Sequence, residues 1–184
     1  IDFTNNNSYV IAEIGVNHNG SREEAYKLID AISDAGFNAV KMQFRSDDTY
    51  SNQKNSFDLD LSSEYILSEL ERVDLTHSDE ALIVKYIKKK NLDFIGTPFD
   101  KSALERLIRY RPDAIKIASC DLTNILLIQE CVNKKLPIIL STGMSSETEI
   151  IKTSNFLEQF NVQRCFLHCN STYPTPLEDV NLSY

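Results

Sequence analysis

The runs Asn38-Ala-Val-Lys-Met-Gln-Phe44 and Asp113-Ala-Ile-Lys-Ile-Ala-Ser119 decide how the chain folds, because each reads as a buried β-strand with a lysine at its centre. Strand side chains alternate between faces, so Val40, Met42 and Phe44 share one face while Ala39, Lys41 and Gln43 share the other. In the second run Ile115 and Ile117 oppose Ala114, Lys116 and Ala118. Each strand therefore carries one ammonium among small residues on the face opposite its apolar side. A lysine is rarely buried without a partner, because taking its charge out of water costs several kcal/mol or shifts its pKa. A single strand lysine commonly lies on a solvated sheet face. Two of them, in strands of a repeating strand-helix pattern covered on both sides, point into one interior built for an anion.

Strand and helix signals alternate outward from these runs. Tyr9 to Ile14 reads as a strand, followed by a turn at Asn17-His-Asn-Gly20. Ser21 with Glu24 three residues on predicts a capping box. The helix it opens has Ala25, Leu28, Ile29 and Ile32 on its apolar face and Gly36 at its end. The second strand is Ala39 to Phe44; a polar insertion runs from Arg45 to about Leu61, with helical patterns over Ser62 to Glu71 and Ser78 to Lys90. Lys88-Lys89-Lys90 places cations at a helix C-terminus, where the dipole favours them. Further strands are expected at Leu92 to Gly96, Ala114 to Ala118, Pro137 to Leu140 and Arg164 to His168. Helices are expected at Lys101 to Arg109, Thr123 to Asn133 and Glu147 to Phe160, and the loop Asn170-Ser-Thr-Tyr-Pro-Thr-Pro176 follows the last strand.

Six alternations predict an α/β fold with a parallel sheet. No G-x-G-x-x-G follows the first strand, which weighs against a dinucleotide-binding sheet. Polar residues cluster just after the strands: Glu13, Asn17 and His18; Gln43; Thr97; Ser119 and Asp121; Ser141 and Thr142; Asn170, Ser171 and Tyr173. A polar ring drawn from many strand ends is how (β/α)8 barrels build their sites, and the barrel is the expected architecture. Six of its eight βα units are present in residues 1–184, read as one incomplete barrel domain whose natural chain is expected to continue.

Composition narrows the function. A net charge of −8 offers no basic stripe for nucleic acid. Apolar runs such as Leu136 to Leu140 are too short to span a bilayer. Cys120, Cys131, Cys165 and Cys169 lack disulfide or C-x-x-C spacing, which suits reduced thiols in a cytoplasm. Cys165 and Cys169 read as core rather than zinc ligands. The remaining inward groups are Lys41, Lys116, the hydroxyls of Thr97, Ser119 and Ser141, the Gln43 amide and the Glu13 carboxylate. Lysines and hydroxyls suit a phosphate or carboxylate held by charge-assisted hydrogen bonds, and Glu13 suits a sugar hydroxyl or a proton transfer. Each hydroxyl taken singly is equally suited to capping a helix.

The motifs Ala12-Glu-Ile-Gly-Val-Asn-His-Asn-Gly20, Lys41-Met-Gln43, Gly96-Thr-Pro-Phe99, Lys116-Ile-Ala-Ser119, Ser141-Thr-Gly-Met144 and His168-Cys-Asn-Ser-Thr-Tyr-Pro-Thr-Pro176 together resemble the sialic acid synthase family, from about Tyr9 to Leu182. That family includes N-acetylneuraminate, legionaminate and pseudaminate synthases. The resemblance implies a cytoplasmic, homodimeric barrel enzyme of carbohydrate biosynthesis that condenses phosphoenolpyruvate with the aldehyde of an N-acylated amino sugar. It implies that Lys41, Thr97, Lys116, Ser119, Ser141 and Ser171 cradle phosphoenolpyruvate, that Glu13 and Tyr173 face the sugar, and that Gln43 and Asn170 join the substrate contacts. It further implies a divalent metal, manganese or magnesium, that polarises the aldehyde.

The family's metal-binding histidines lie past the sixth strand and do not match His18, His77 or His168, so no metal ligand is assigned within this segment. The family's small C-terminal antifreeze-like domain is absent from these residues. Ser119-Cys-Asp121 stands where Ser-Gly-Glu is frequent, and the insertion after the second strand matches poorly. Rival readings are another phosphoenolpyruvate-dependent 3-deoxy-keto-acid synthase, a surface-polysaccharide enzyme, or a non-catalytic sugar-phosphate-binding barrel.

Overall fold

A computed structural model describes residues 1, 8–46 and 68–183. These form two compact units, one of residues 8–46 and 68–112 and the other built on residues 113–183. Most of the polar insertion, and the start of the helix expected from Ser62, lie outside the described residues; residues 68–72 are helical.

The first unit is a parallel sheet of β1 (Ile11–Gly15), β2 (Ala39–Phe44) and β3 (Asp93–Pro98), joined through α1 (Arg22–Asp34) and α2 (His77–Lys89) and followed by α3 (Lys101–Arg109). Val40, Met42 and Phe44 enter a core with Ile14, Phe94, Ala25, Ile29, Ile83, Ile87 and Leu107. The face carrying Lys41 and Gln43 is thereby the opposite one. Burying Phe44 alone contributes about 2–3 kcal/mol, and its ring meets Phe94 edge-on at 6.0 Å. At Gly96 the two layers touch: a Cβ there would lie 2.2 Å from a Leu107 methyl, so only glycine lets α3 seat on β3.

The second unit is a parallel sheet of β4 (Ala114–Ile117), β5 (Ile138–Ser141) and β6 (Arg164–Leu167), with α4 (Ile125–Val132) and α5 (Glu147–Glu158). Every residue of β4 and β5 is buried. β6 is only half-buried along its length, so Cys165 does not lie in a sealed core as its sequence suggested.

The capping box expected at Ser21 forms by half. The Ser21 hydroxyl accepts from Glu24 N–H, but the Ser21 N–H is already given to the His18 carbonyl. The Glu24 carboxylate instead meets Lys27 at 2.7 Å. A complete box stands at Ser146 and Glu149, where α5 begins. Lys88 and Lys89 occupy the last turn of α2 as expected, and Lys88 also donates to the carbonyls of Tyr110 and Arg111.

Candidate active site

In the first unit the site grows from an irregularity between β1 and β2. Glu13 pairs with Lys41 and Gly15 with Met42, so the register slips by one residue at Ile14. Gly15 takes the left-handed φ of +53°, and a Cβ on it would lie 3.1 Å from Glu13 Oε1 and 3.8 Å from Gln43 Nε2. The bulge thus clears space for a carboxylate and an amide to approach. Lys41 Nζ forms an ion pair with Glu13 and donates to Thr97 Oγ1 at 3.1 Å. Its side chain retains 16% exposure against 41% for Glu13, so the pair opens to one side.

Further along β2, Arg45 donates to Gln43 Oε1 at 2.7 Å and stacks its guanidinium over the Phe99 ring at 4.2 Å. Arg106 gives a hydrogen bond of 2.6 Å to the Arg45 carbonyl, and its other nitrogens meet His77 Nε2 at 2.7 Å and Glu80 Oε2 at 3.0 Å. Arginine only donates, so His77 accepts through Nε2. Burial pushes the Glu80 carboxyl up to about 7, although Arg106 and the Tyr110 hydroxyl pull the other way. Gly15, His18, Gln43, Arg45 and Glu80 border a cavity of about 10 Å³, room for one water. His18 is buried and accepts the Gly20 N–H through Nδ1; desolvation lowers its pKa, so it serves the turn as a neutral imidazole.

The second unit holds the other lysine. Lys116 is buried, donating to the Ile117 carbonyl at 2.6 Å and to Ser141 Oγ. Ser141 Oγ also accepts from the Cys169 thiol at 3.4 Å. A hydroxyl has two acceptor lone pairs and one proton. Ser141 Oγ is therefore the acceptor shared by the ammonium and the thiol. Gly143 ties the neighbouring hydroxyls to this pair. Its N–H donates to Ser119 Oγ at 3.2 Å, and a Cβ on it would lie 2.9 Å from Ser171 Oγ and 3.1 Å from Cys169 Cβ.

The structure therefore brings Glu13, Lys41 and Thr97 together in one unit, with Gln43 nearby, and Lys116, Ser119, Ser141 and Ser171 in the other. The helix-capping alternative falls away for Thr97 and Ser141: α3 is capped by Asp100 and α5 by Ser146, leaving both hydroxyls to the lysines. Asn170 Oδ1 accepts from Thr172 N–H, which shapes its own loop. Tyr173, in the same loop, is exposed. Arg45, Gly143 and Cys169 escaped the sequence reading. Arg45 looked like the first residue of a polar insertion, and Cys169 like core; only the i+2 spacing of Gln43 and Arg45 on one strand face hinted at their contact.

Six parallel strands, two of them carrying a lysine that meets a hydroxyl of another strand, define an α/β fold that gathers polar groups toward its strand ends. The chain belongs to the NeuB family, whose pattern matches residues 28–184. It is 35% identical to the N,N'-diacetyllegionaminic acid synthase of Legionella pneumophila, over 95% of this chain and 52% of that protein. It is also 35% identical to a pseudaminic acid synthase of Campylobacter jejuni, over 97% of this chain and 54% of that protein. The N-acetylneuraminic acid (sialic acid) synthetase of Leptospira borgpetersenii, solved in complex with citrate, superposes with a TM-score of 0.85 at 31% identity, over 97% of this chain and 59% of that one. The chain thus spans about half the length of the curated relatives it matches. Its six parallel strands and their helices are those of sialic acid synthase folds. No described helix is long and apolar enough to cross a membrane.

Proposed function

We propose that the full-length protein is a nonulosonate synthase with a (β/α)8 barrel, condensing phosphoenolpyruvate with the aldehyde of an N-acylated hexosamine-type sugar and releasing phosphate. One observation carries the reading: Lys116 is buried and hydrogen-bonded to Ser141, beside Ser119 and Ser171 gathered at Gly143. A buried ammonium that donates to one serine hydroxyl, with two further serines close by, suits an anion's oxygens better than it suits a purely structural role. The citrate held by the related synthetase is likewise a small polyanion.

In this reading Lys116, Ser119, Ser141 and Ser171 hold phosphate and carboxylate oxygens, and Lys41 with Thr97 offers the same kind of contact within the first unit. They neutralise the charge that shifts as C3 of the enol bonds to the aldehyde carbon, water adds at C2, and the C2–O bond to phosphate breaks. Glu13, paired with Lys41 on an open side, accepts a hydrogen bond or proton from the sugar. Asn170 and Tyr173 extend the substrate contacts from the loop after β6. Among the described residues no three His, Cys, Asp or Glu side chains come together in a way that suits a metal ion. The divalent metal that the family resemblance implies would take its ligands from outside this segment, and no step here runs through one.

The test is product analysis. Full-length protein is incubated with phosphoenolpyruvate and a panel of N-acylated hexosamines, reading nine-carbon keto acid by mass and phosphate by release. One sugar should give both products in equal amounts. A 3-deoxy-keto acid formed from a sugar phosphate instead assigns the rival synthase activity. Tight phosphate binding with no turnover on any sugar assigns the non-catalytic reading.

A further inference from the structure

An amide side chain has an acceptor end and a donor end, and what holds one end decides which the other presents. At Gln43 that choice is made by Arg45, which places a guanidinium nitrogen 2.7 Å from Oε1. Arginine has no acceptor, so a flipped amide would set two donors against each other, and the reverse orientation is excluded. Nε2 is turned toward Gly15, 3.8 Å from where a Cβ would stand there, on the side of the Glu13 carboxylate. Arg45 is itself fixed at two points. Phe99 lies under its guanidinium at 4.2 Å, and Arg106 holds its carbonyl at 2.6 Å. Arg106 is anchored in turn by Glu80 and His77.

We propose that Arg45 is a positioning residue for the sugar: it locks Gln43 as a hydrogen-bond donor beside Glu13, so that the two present one donor and one acceptor about a glycine-cleared space. The sugar that fits must offer an oxygen acceptor, a hydroxyl or an N-acyl carbonyl, to Gln43, and a hydroxyl proton to Glu13. The inference rests on the synthase reading and adds to it which group sets sugar recognition. Arg45 acts through Gln43 and does not touch phosphoenolpyruvate.

The test uses full-length protein with Arg45→Met, Arg45→Lys and Gln43→Glu variants. Their steady-state KM values for sugar and for phosphoenolpyruvate are compared, with melting temperature measured alongside. Arg45→Met keeps the stacking bulk but frees the amide to rotate, and should raise the sugar KM about tenfold with KM for phosphoenolpyruvate unchanged. Arg45→Lys keeps a donor to Oε1 and should stay within about threefold of the wild type. Gln43→Glu strengthens the Arg45 contact while removing the donor, and should lose at least as much sugar affinity as Arg45→Met. An unchanged sugar KM in Arg45→Met, or an equal rise in both KM values, overturns the inference while leaving the synthase reading intact. Should Arg45→Met fail to fold, an unaltered sugar KM in Gln43→Glu refutes it alone. A wild-type protein that consumes no phosphoenolpyruvate with any N-acylated sugar overturns both.

Discussion

Replacing Gly143 by alanine perturbs the anion receptor without touching its charge. The added Cβ would lie 2.9 Å from Ser171 Oγ and 3.1 Å from both the Cβ and the carbonyl oxygen of Cys169. Ser171 can turn its hydroxyl away cheaply, but the Cys169 backbone moves only with the whole loop after β6. A shift of a few tenths of an ångström stretches the 3.2 Å bond from Gly143 N–H to Ser119 Oγ past useful length. One weakened hydrogen bond and one rotated hydroxyl, at roughly 1 kcal/mol each, sum to about 2 kcal/mol, or about 30-fold in anion affinity. Overpacking on a half-exposed loop costs about 1 kcal/mol of stability, a fall of roughly 2–4 °C in Tm. Calorimetric titration of full-length protein with phosphoenolpyruvate, beside a melting scan, reads both. Affinity within twofold of the wild type at an unchanged Tm would refute the idea that Gly143 organises the hydroxyls.

Three more outcomes follow from contacts elsewhere. Gly96→Ala sets a methyl 2.2 Å from a carbon of fully buried Leu107 and should destabilise by about 3 kcal/mol; adding Leu107→Ala should cost clearly less than the sum of the two single changes, since each relieves the other, and strict additivity in the melting data would contradict this packing. Glu80 has a folded pKa raised from 4.5 to about 7, so the folded state binds the extra proton between those values. Stability should fall as pH rises through that window, by roughly 3 kcal/mol in all, and denaturant titrations of Glu80→Gln should show that slope removed; a wild-type profile that climbs across the window for this group would reverse the sign. Cys169→Ser keeps a donor to Ser141 Oγ and Cys169→Ala does not, so the anion affinity should drop about three- to tenfold only in the alanine variant; equal affinities would remove Cys169 from the site.

The lysine strands were legible because alternation is a local property. Val40, Met42 and Phe44 enter the core as their period dictates, and β2 and α3 have the bounds that patterning gives. β4 ends one residue earlier than the apolar run predicts, since Ala118 leaves the ladder to open a turn at Ser119. β5 is shifted by one residue at both ends, starting after Pro137, which has no N–H to give, and running on to Ser141. Capping chemistry was half legible, since Ser21 announces α1, but its N–H had a competitor in His18 that sequence spacing does not reveal. The lysine partners Thr97 and Ser141 were suspected among alternatives, and only the caps at Asp100 and Ser146 decided between them. What stayed hidden depends on three-dimensional adjacency of chain-distant groups. Gly143 beside Cys169 and Ser171 is one case, and Arg106 reaching Arg45 across 61 positions is another.

The most direct measurement is phosphoenolpyruvate affinity in full-length protein carrying Lys116→Met, read by calorimetry together with Tm. Methionine fills the same volume without a charge, and burying an ammonium is costly, so Tm should hold or rise. Affinity should fall at least about 100-fold, the loss of a charged contact to a dense anion. Unchanged affinity, at whatever Tm, would contradict the claim that this buried lysine exists to hold the substrate's negative charge.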